Sequence, residues 1–342
     1  MTCANCHNPL PPTGGRCTRC GRVVYARPGL PGGAPGLRLD GCRSEAPSPS
    51  DYRAVPRAGA LPPLVDLRPE CSPVEAQGAL GSCTANAVVG AFEFLQRKAR
   101  RETPDLSRLF VYYNARKMSG WEREDSGATI GQGMAALLAF GAPAETSWPY
   151  DVARMAERPP EACYDEARNH VPSEYARVDG ADGIRGALAH AHPVVFASNI
   201  PERCYDAAWT SGTVPMPTAD ERAAMASREG THAMLLVGYD LNARVYFVRN
   251  SWGEQFGERG YCRIPFDVFD AVIVAHSTWI LGHLAQTGHF DVIRPVVSRP
   301  VVEGSVKDLA AKLRAEIRAG LSRDIEDAMK DVKRRFPTGR QG

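Results

Sequence analysis

Apolar residues recur at helical spacing in the first half of the chain and form short continuous runs in the second half. The clearest helical pattern covers residues 83–98, where an apolar face ends in basic residues. The same pattern predicts further helices over residues 106–118, 131–140 and 182–191. The apolar runs predict strands over residues 193–197, 233–239, 245–250 and 260–265. Helices followed by antiparallel strands predict an α+β fold class, in an order compatible with two facing lobes.

Composition distinguishes three regions after residue 26. Residues 61–290 have the composition of a globular domain. Residues 27–60 are rich in Pro, Gly and Ser, which predicts a flexible linker. Residues 303–336 place apolar side chains mostly at steps of four after the capping pair Ser305 and Asp308, which predicts a long amphipathic helix. That helix either packs on its own domain or extends into solvent, and a partner or a second copy of the chain remains an alternative.

The overall charge and hydropathy favour no special partner. The chain has 342 residues, of which 44% are hydrophobic, and its formal charge is +2. Such a balance gives no argument for nucleic acid or a membrane as partner, and no apolar run reaches the length of a membrane span. The first residues lack the features of a secretory signal, which predicts a cytoplasmic protein with reduced cysteines. Export to the periplasm by another route is the alternative.

Four of the ten cysteines lie close together in residues 1–26. Cys3 and Cys6 form one C-x-x-C pair, and Cys17 and Cys20 form a second. Four thiolates at this spacing predict a zinc ribbon with one structural zinc ion, since zinc prefers tetrahedral sulfur ligands. A redox pair is the alternative, and His7 is an alternative ligand. A docking surface for a protein partner is a further expectation for the ribbon.

Cys83 stands at the predicted start of the helix over 83–98, six residues after Gln77. The N-terminus of a helix favours a thiolate through its macrodipole and its unpaired amides. Gln77 can present a side-chain amide to the same place. A small buried core cysteine is the alternative.

A thiol nucleophile needs a general base held in the correct tautomer. His232 precedes one predicted strand, and Asn250 ends the next. A hairpin of these strands brings His232 and Asn250 together, so that the asparagine oxygen can accept from one imidazole nitrogen. Trp252 can then shield this hydrogen bond from water. By itself a histidine near a strand is more often a satisfied core residue.

Three separated motifs in this order resemble those of the papain-like cysteine peptidases. They read QGALGSCTA at 77–85, THAMLLVGY at 231–239 and NSWGEQFGERGYCRIP at 250–265. The resemblance implies a two-lobe fold, with a helical lobe and an antiparallel β lobe. It implies that Cys83 is the nucleophile, His232 the base and later acid, and Asn250 the orienting residue. It also implies that Gln77 and the Cys83 amide bind the oxyanion. Gly127 corresponds loosely to the family's substrate-binding glycines, and Trp252 is the second residue expected to bind the substrate.

The chain departs from the family at several points. Leu80 stands where relatives have a disulfide cysteine, Thr84 stands where many have an aromatic residue, and no helical pro-domain is recognisable. We therefore expect the ribbon, the linker or the C-terminal helix to control access to the cleft. The resemblance favours a cysteine endopeptidase acting on peptides or proteins, with no catalytic cofactor. A transpeptidase, aminopeptidase or amidase with the same residues, a binding module on an inactive scaffold, and a structural adaptor remain alternatives.

Overall fold

A computed structural model provides the structure of the chain. It describes residues 14–16, 23–25, 38–57, 59–99, 104–226, 230–284 and 286–294. These residues all belong to the first of two compact units, residues 1–296, and the second unit comprises residues 297–342. The predicted amphipathic helix over 303–336 lies outside the described residues. So do Cys3, Cys6, His7, Cys17 and Cys20.

The four helices that the sequence pattern predicts are present, and each begins and ends within about two residues of its predicted bounds. The described helices are α1 (Cys83–Lys98), α2 (Arg108–Lys117), α3 (Ile130–Phe140), α4 (Glu161–Ala167), α5 (Gly180–Ala189), α6 (Glu202–Ser211), α7 (Ala219–Ala226) and α8 (Phe266–Val272). Helix α1 is buried along most of its length, as its apolar pattern predicts. Ser107 caps α2, and a Thr129–Gln132 capping box begins α3. Gly141 ends α3 with a positive φ of 73°.

The described strands form a small hairpin and one large sheet. They are β1 (Gly14–Arg16), β2 (Val23–Tyr25), β3 (Arg53–Pro56), β4 (Leu64–Asp66), β5 (Glu174–Arg177), β6 (Val194–Ser198), β7 (His232–Asp240), β8 (Val245–Arg249), β9 (Tyr261–Pro265), β10 (Trp279–Gly282) and β11 (Phe290–Ile293). Strands β1 and β2 pair antiparallel. The remaining nine form a sheet in the order β11-β3-β5-β10-β6-β7-β8-β9, and β4 pairs with β7 outside this order.

The central part of the sheet is the predicted β hairpin. Strands β7 and β8 pair antiparallel, with an irregular register between Leu236 and Gly238. Gly238 has a φ of 151°, and a side chain there would overlap the backbone of Val65 in β4. Strand β7 is buried from its first residue, His232, nearly to its end. Helices followed by mostly antiparallel strands confirm the α+β prediction. Among the described residues, no helix is both long and apolar enough to cross a membrane.

The segment predicted as a flexible linker contains ordered structure in its described part. Strand β3 lies in the main sheet, antiparallel to β11 and parallel to β5. Before it, Asp51 accepts a hydrogen bond of 2.6 Å from the buried Arg177. Glu45 accepts from the Trp279 indole at 3.0 Å. Composition favours a linker because Pro, Gly and Ser give no apolar pattern, whereas the partners that order this segment are distant in sequence.

Candidate active site

Cys83 is the first residue of α1, where the sequence pattern places it. Its side chain is fully buried. The Sγ atom accepts a hydrogen bond of 3.5 Å from the backbone N–H of Ala233. The thiol therefore lies against the start of β7, one residue beyond His232, although 150 residues separate Cys83 and Ala233 in the sequence.

His232 and Asn250 lie side by side at the same end of the β7–β8 hairpin. Their side chains form a hydrogen bond of 2.8 Å between Nε2 and Oδ1. The same Oδ1 accepts from the backbone N–H of Ser251 at 2.8 Å. Because a backbone N–H can only donate, this second bond assigns the oxygen of the amide. The Nε2 atom of His232 must therefore carry a hydrogen, and Nδ1 is the nitrogen that can exchange a proton with a thiol.

Trp252 lies over the imidazole, as predicted for a group that shields the hydrogen bond. The two rings stack at a centroid distance of 4.9 Å and an angle of 26°. Tyr205 approaches the His232 ring edge-on at 5.8 Å. Trp252 is itself 4% exposed and also packs against Tyr205 and Phe256, at ring centroid distances of 4.8 and 5.1 Å. This aromatic cover makes the surroundings of the His232–Asn250 bond apolar, which strengthens the bond.

Gln77 is held in the loop before Cys83 by contacts on both ends of its amide. Its Nε2 donates to the carbonyl of Leu80 at 2.9 Å. Its Oε1 accepts from the Ser251 hydroxyl at 2.5 Å. Its backbone carbonyl accepts from the Tyr150 hydroxyl at 2.8 Å. Because an amide nitrogen has two hydrogens, Gln77 has a second N–H to offer to an oxyanion.

The loop before Cys83 is held by packing and hydrogen bonds. Leu80, at the position where the sequence resemblance would place a disulfide cysteine, is 1% exposed. The next residue, Gly81, donates its N–H to the Asp125 carboxylate at 3.0 Å. The Tyr112 hydroxyl donates to the same carboxylate. A buried carboxylate therefore ties this loop to the segment that leads to Gly127.

Residues 38–45 cross the region between Gly127 and His232, and we name them the cleft strap. On one side, Cys42 donates to the carbonyl of Thr231 at 2.8 Å and accepts from its N–H at 2.7 Å. On the other side, Ala128 donates to the carbonyl of Gly41 at 3.1 Å, and Arg43 donates to the carbonyl of Ala128 at 3.0 Å. The strap is thus bonded by its backbone to both sides of the candidate site.

Two glycines permit the close approach of the strap. A Cβ atom at Gly41 would lie 2.7 Å from the backbone of Gly81. Gly127 has a φ of 71°, and a Cβ there would lie 2.3 Å from the Gly41 carbonyl oxygen. Gly127, predicted to bind the substrate backbone, is therefore in contact with the backbone of the strap.

The electrostatics of Cys83 follow from this coverage. Burial raises the pKa of the Cys83 thiol to about 12. The N–H groups of Ala233 and Thr84 and the positive charge of Arg38 act in the opposite direction. A helix start alone favours the thiolate. In the buried position of Cys83, the loss of water outweighs these favourable contacts, and the neutral thiol is preferred.

The zinc prediction concerns residues that the structure does not describe. Within the described parts of the chain, no group of three or more His, Cys, Asp or Glu side chains could hold a metal ion. The six cysteines in those parts (Cys42, Cys71, Cys83, Cys163, Cys204 and Cys262) are free and buried. The only described part of the predicted ribbon is the antiparallel pair of strands β1 and β2. Cys17 and Cys20 lie between these strands in the sequence.

Sequence reasoning missed several contributors to this site. Ser251 holds both Gln77 and Asn250, and Asp125 holds Gly81. The backbone of the strap residue Cys42 pairs with Thr231, the residue before His232, although composition predicts only a linker there. A weak signal existed only for Asp125, which stands two residues before the glycine chosen as a substrate contact.

Comparison with known proteins agrees with this geometry. The sequence model of the papain family cysteine proteases matches residues 61–278. An uncharacterized peptidase C1-like protein of Acanthamoeba polyphaga mimivirus, L477, is 34% identical over 221 residues, which cover 61% of this chain and 70% of that protein. Cysteine proteinase B of Leishmania mexicana is 28% identical over 61% of this chain, and the match spans 46% of its own length.

Solved structures show the same fold. Xylellain, a cysteine protease from Xylella fastidiosa, superposes with a TM-score of 0.62 at 32% identity, covering 72% of this chain and 98% of xylellain. Digestive procathepsin L 3 of Tenebrio molitor superposes with a TM-score of 0.53 at 20% identity, covering 71% and 76% of the two chains, which supports the fold alone. The family match covers more than half of the chain and includes all three motifs, and the chain therefore belongs to the papain family of cysteine proteases.

Proposed function

We propose that the chain is a cysteine endopeptidase in which Cys83 is the nucleophile, His232 the base and acid, and Asn250 the orienting residue. The observation that carries this proposal is the 2.8 Å bond between His232 Nε2 and Asn250 Oδ1. It leaves Nδ1 for the thiol, whose sulfur contacts the residue next to His232. Membership of the family implies peptide or protein substrates.

In the proposed reaction, His232 Nδ1 takes the proton of Cys83, and the thiolate attacks the carbonyl carbon of a peptide bond. The resulting imidazolium then gives this proton to the leaving amine, which departs and leaves a thioester on Cys83. Water attacks the thioester while His232 again accepts a proton. The carboxylic acid product leaves, and the thiol is restored. No metal or organic cofactor has a role in these steps.

Gln77 and the backbone N–H of Cys83 are the proposed donors to the tetrahedral oxyanion. Ser251 and Leu80 hold the Gln77 amide at both ends, so little reorganisation is needed when the charge develops. A preorganised donor of this kind is typically worth about 3–4 kcal/mol in the transition state.

The course of the strap favours an endopeptidase over an enzyme restricted to chain ends. The strap is an internal segment of this chain, and its Gly41–Arg43 backbone bonds to both sides of the site. A site that accepts an internal segment can accept the interior of a substrate chain. A transpeptidase or amidase with the same residues is the alternative, because the acyl-enzyme is common to all three.

The strap is also the proposed restraint on activity. It bonds to Ala128 and Thr231, contacts Gly127, and covers a thiol whose pKa burial raises. Among the three regions expected to control access, the linker therefore has direct support. A peptide substrate needs the same backbone groups and must displace the strap before attack can occur.

The test uses a peptidyl epoxide or vinyl sulfone probe together with an internally quenched peptide blocked at both ends. We expect Cys83 to be labelled and the blocked peptide to be cut internally, and both events to cease in Cys83→Ala. A folded wild-type protein that neither reacts nor cleaves, even after the strap is released by proteolysis within the exposed residues 46–50, would favour an inactive scaffold. Release of only terminal residues or of ammonia would favour the alternative enzymes.

Three further assignments remain proposals. A structural zinc ion held by Cys3, Cys6, Cys17 and Cys20 is compatible with the β1–β2 hairpin. A protein partner would bind this ribbon or the predicted helix over 303–336. The cytoplasmic location is a proposal that rests on the scattered cysteines.

A further inference from the structure

The strap buries an arginine side chain next to the nucleophile. The Arg38 guanidinium donates from Nη1 to the Asp125 carboxylate and to the Asp125 carbonyl, the latter at 3.1 Å. Its Nε donates to Asp40 at 2.8 Å. The side chains of Arg38 and Asp125 are only 3% and 1% exposed. A buried charge pair with this many hydrogen bonds has the features of a specific recognition site.

The Asp125 carboxylate belongs to the peptidase domain, whereas the Arg38 guanidinium belongs to the strap. We call the place that this guanidinium occupies, beside Asp125, Gly81 and Tyr112, the pocket. The Gly81 N–H and the Tyr112 hydroxyl donate to Asp125 independently of the strap. Burial raises the pKa of Tyr112 well above its usual value, so the phenol stays protonated and remains a donor. When the strap leaves, the domain therefore retains an oriented carboxylate but loses the cation that faced it.

The floor of the pocket is shaped for a flat cationic group. A Cβ atom at Gly81 would lie 2.9 Å from Nη1 of Arg38 and 3.2 Å from an Asp125 oxygen. Only a glycine leaves room for a guanidinium to pass between this backbone and the carboxylate. Gly81 is two residues before Cys83, so a side chain held here belongs to a residue close to the bond under attack.

Two other charged side chains, Arg116 and Asp40, lie near the Arg38–Asp125 pair. Arg116, the domain's own nearby cation, donates to the carbonyls of Glu122 and Glu124 at 3.0 and 2.6 Å, and to that of Met155. These bonds direct Arg116 toward the loop that carries Asp125. The second anion at Arg38 is Asp40, which leaves together with the strap.

We propose that Asp125, with Gly81 and Tyr112, forms a substrate subsite that selects a basic side chain, arginine above all, and that Arg38 fills this subsite in the closed protein. This inference rests on the proposed peptidase function, and it names the specificity of that site. Asp125 is a specificity-determining residue in this scheme. An alternative is that the pair serves only to anchor the strap, and the test separates the two.

The experiment compares arginine with citrulline, which has nearly the same shape but no charge. The full chain is folded with a serine-protease recognition sequence in place of the exposed residues 46–50 and with Gly41→Ala to weaken the strap. It is then cut, and residues 1–45 are removed by gel filtration. Each blocked fluorogenic peptide carries a single arginine or a single citrulline. In the series, this residue is placed in turn at each position on the acyl side of the scissile bond. Two variants are made in this background, Asp125→Asn and the exposed neighbour Glu124→Gln as a control of equal charge change.

We expect kcat/KM to favour arginine over citrulline by about 10- to 100-fold at one position, the range expected for a hydrogen-bonded charge. Glu124→Gln should keep this ratio, and Asp125→Asn should reduce it to within about threefold, whatever the absolute rate at which the variant cuts either peptide. A ratio near one in the parent, or one that survives Asp125→Asn, overturns the proposal. If Asp125→Asn does not fold, the proposal is judged from the ratio of kcat/KM between arginine and citrulline peptides in the parent protein.

A binding measurement keeps the inference separate from the peptidase proposal. In the strap-released Cys83→Ala protein, the dissociation constants of the same peptides are measured by fluorescence anisotropy. Tighter binding of the arginine peptide by about tenfold or more supports the pocket even if no peptide is hydrolysed, an outcome that would refute only the peptidase proposal. Equal binding of both peptides refutes the pocket whether or not hydrolysis occurs.

Discussion

Replacing Gly41 with alanine should open the cleft strap and expose Cys83. The new Cβ atom would lie 2.7 Å from the Cα, carbonyl carbon and carbonyl oxygen of Gly81, well inside the usual contact distance of about 3.5–4.0 Å. Gly81 cannot easily yield, because its N–H is bonded to the buried Asp125. The strap is the part that must move.

The size of the effect follows from the bonds that hold the strap. The strap residues Gly41, Cys42 and Arg43 form backbone hydrogen bonds with Ala128 and Thr231. At about 0.5–1.5 kcal/mol each, these bonds favour the closed state by roughly 2–6 kcal/mol. Overpacking of this kind costs about 1–3 kcal/mol. The open fraction should therefore rise about 5- to 150-fold, because 1.4 kcal/mol is a factor of ten.

The assay is the second-order rate constant for alkylation of Cys83 by iodoacetamide, read by mass spectrometry of the peptide that contains this residue. We expect the rate constant to increase with the open fraction. Opening also restores water around the thiol, which lowers its raised pKa and shifts the pH midpoint of labelling downward. The matched control is Gly59→Ala, because a Cβ at Gly59 meets nothing within 4 Å. A rate constant for Gly41→Ala within twofold of both wild type and the control would refute the reasoning.

Three further predictions test other parts of the protein. Asn250→Ala removes the oxygen that orients the imidazole and should lower kcat/KM by about 10- to 100-fold in strap-released protein, whereas Asn242→Ala in an exposed turn should stay within twofold. Burial raises the pKa of Glu93 from 4.5 to about 7, so the folded state binds more protons than the unfolded state between these values, and stability falls as the pH rises through this window. Between pH 5 and pH 8, the free energy of unfolding of wild type, measured in urea, should fall by up to about 3 kcal/mol more than that of Glu93→Gln. A difference in stability between the two proteins that does not change with pH would contradict this. Elemental analysis of the full chain should find one zinc ion per chain, lost in the double variant Cys17→Ser, Cys20→Ser, and a wild-type chain free of zinc would exclude the ribbon.

The elements that the sequence predicts well are those whose signal is local. The pattern predicts helix α1 over residues 83–98, its observed range, because its apolar face and its basic last turn are both visible in one window. Two adjacent apolar runs and a short turn predict the β7–β8 hairpin. Since hairpin pairing brings the outer strand ends together, the same runs also predict the contact between His232 and Asn250.

The contacts that the sequence does not predict join distant segments. Asp125 reaches Gly81 across 44 residues, and Ser251 reaches Gln77 across 174. Strands β10 and β11 return to the sheet beside β5 and β3, an order that no local pattern encodes. A hydrogen bond between distant residues depends on the packing of whole elements. Neither partner can therefore be recognised from the residues next to it in the sequence.

The sequence by itself determined the family and the α+β class, and three short motifs are the source of the proposed set of Cys83, His232, Asn250 and Gln77. The tertiary structure alone decided that residues 38–45 lie across the site and that Arg38 meets Asp125 there. In sequence the strap lies within the Pro-, Gly- and Ser-rich region 27–60 and shows no periodicity of its own. Its conformation is set by backbone bonds to Ala128 and Thr231 and by the space that glycines leave, and these exist only once the two sides of the site have folded together.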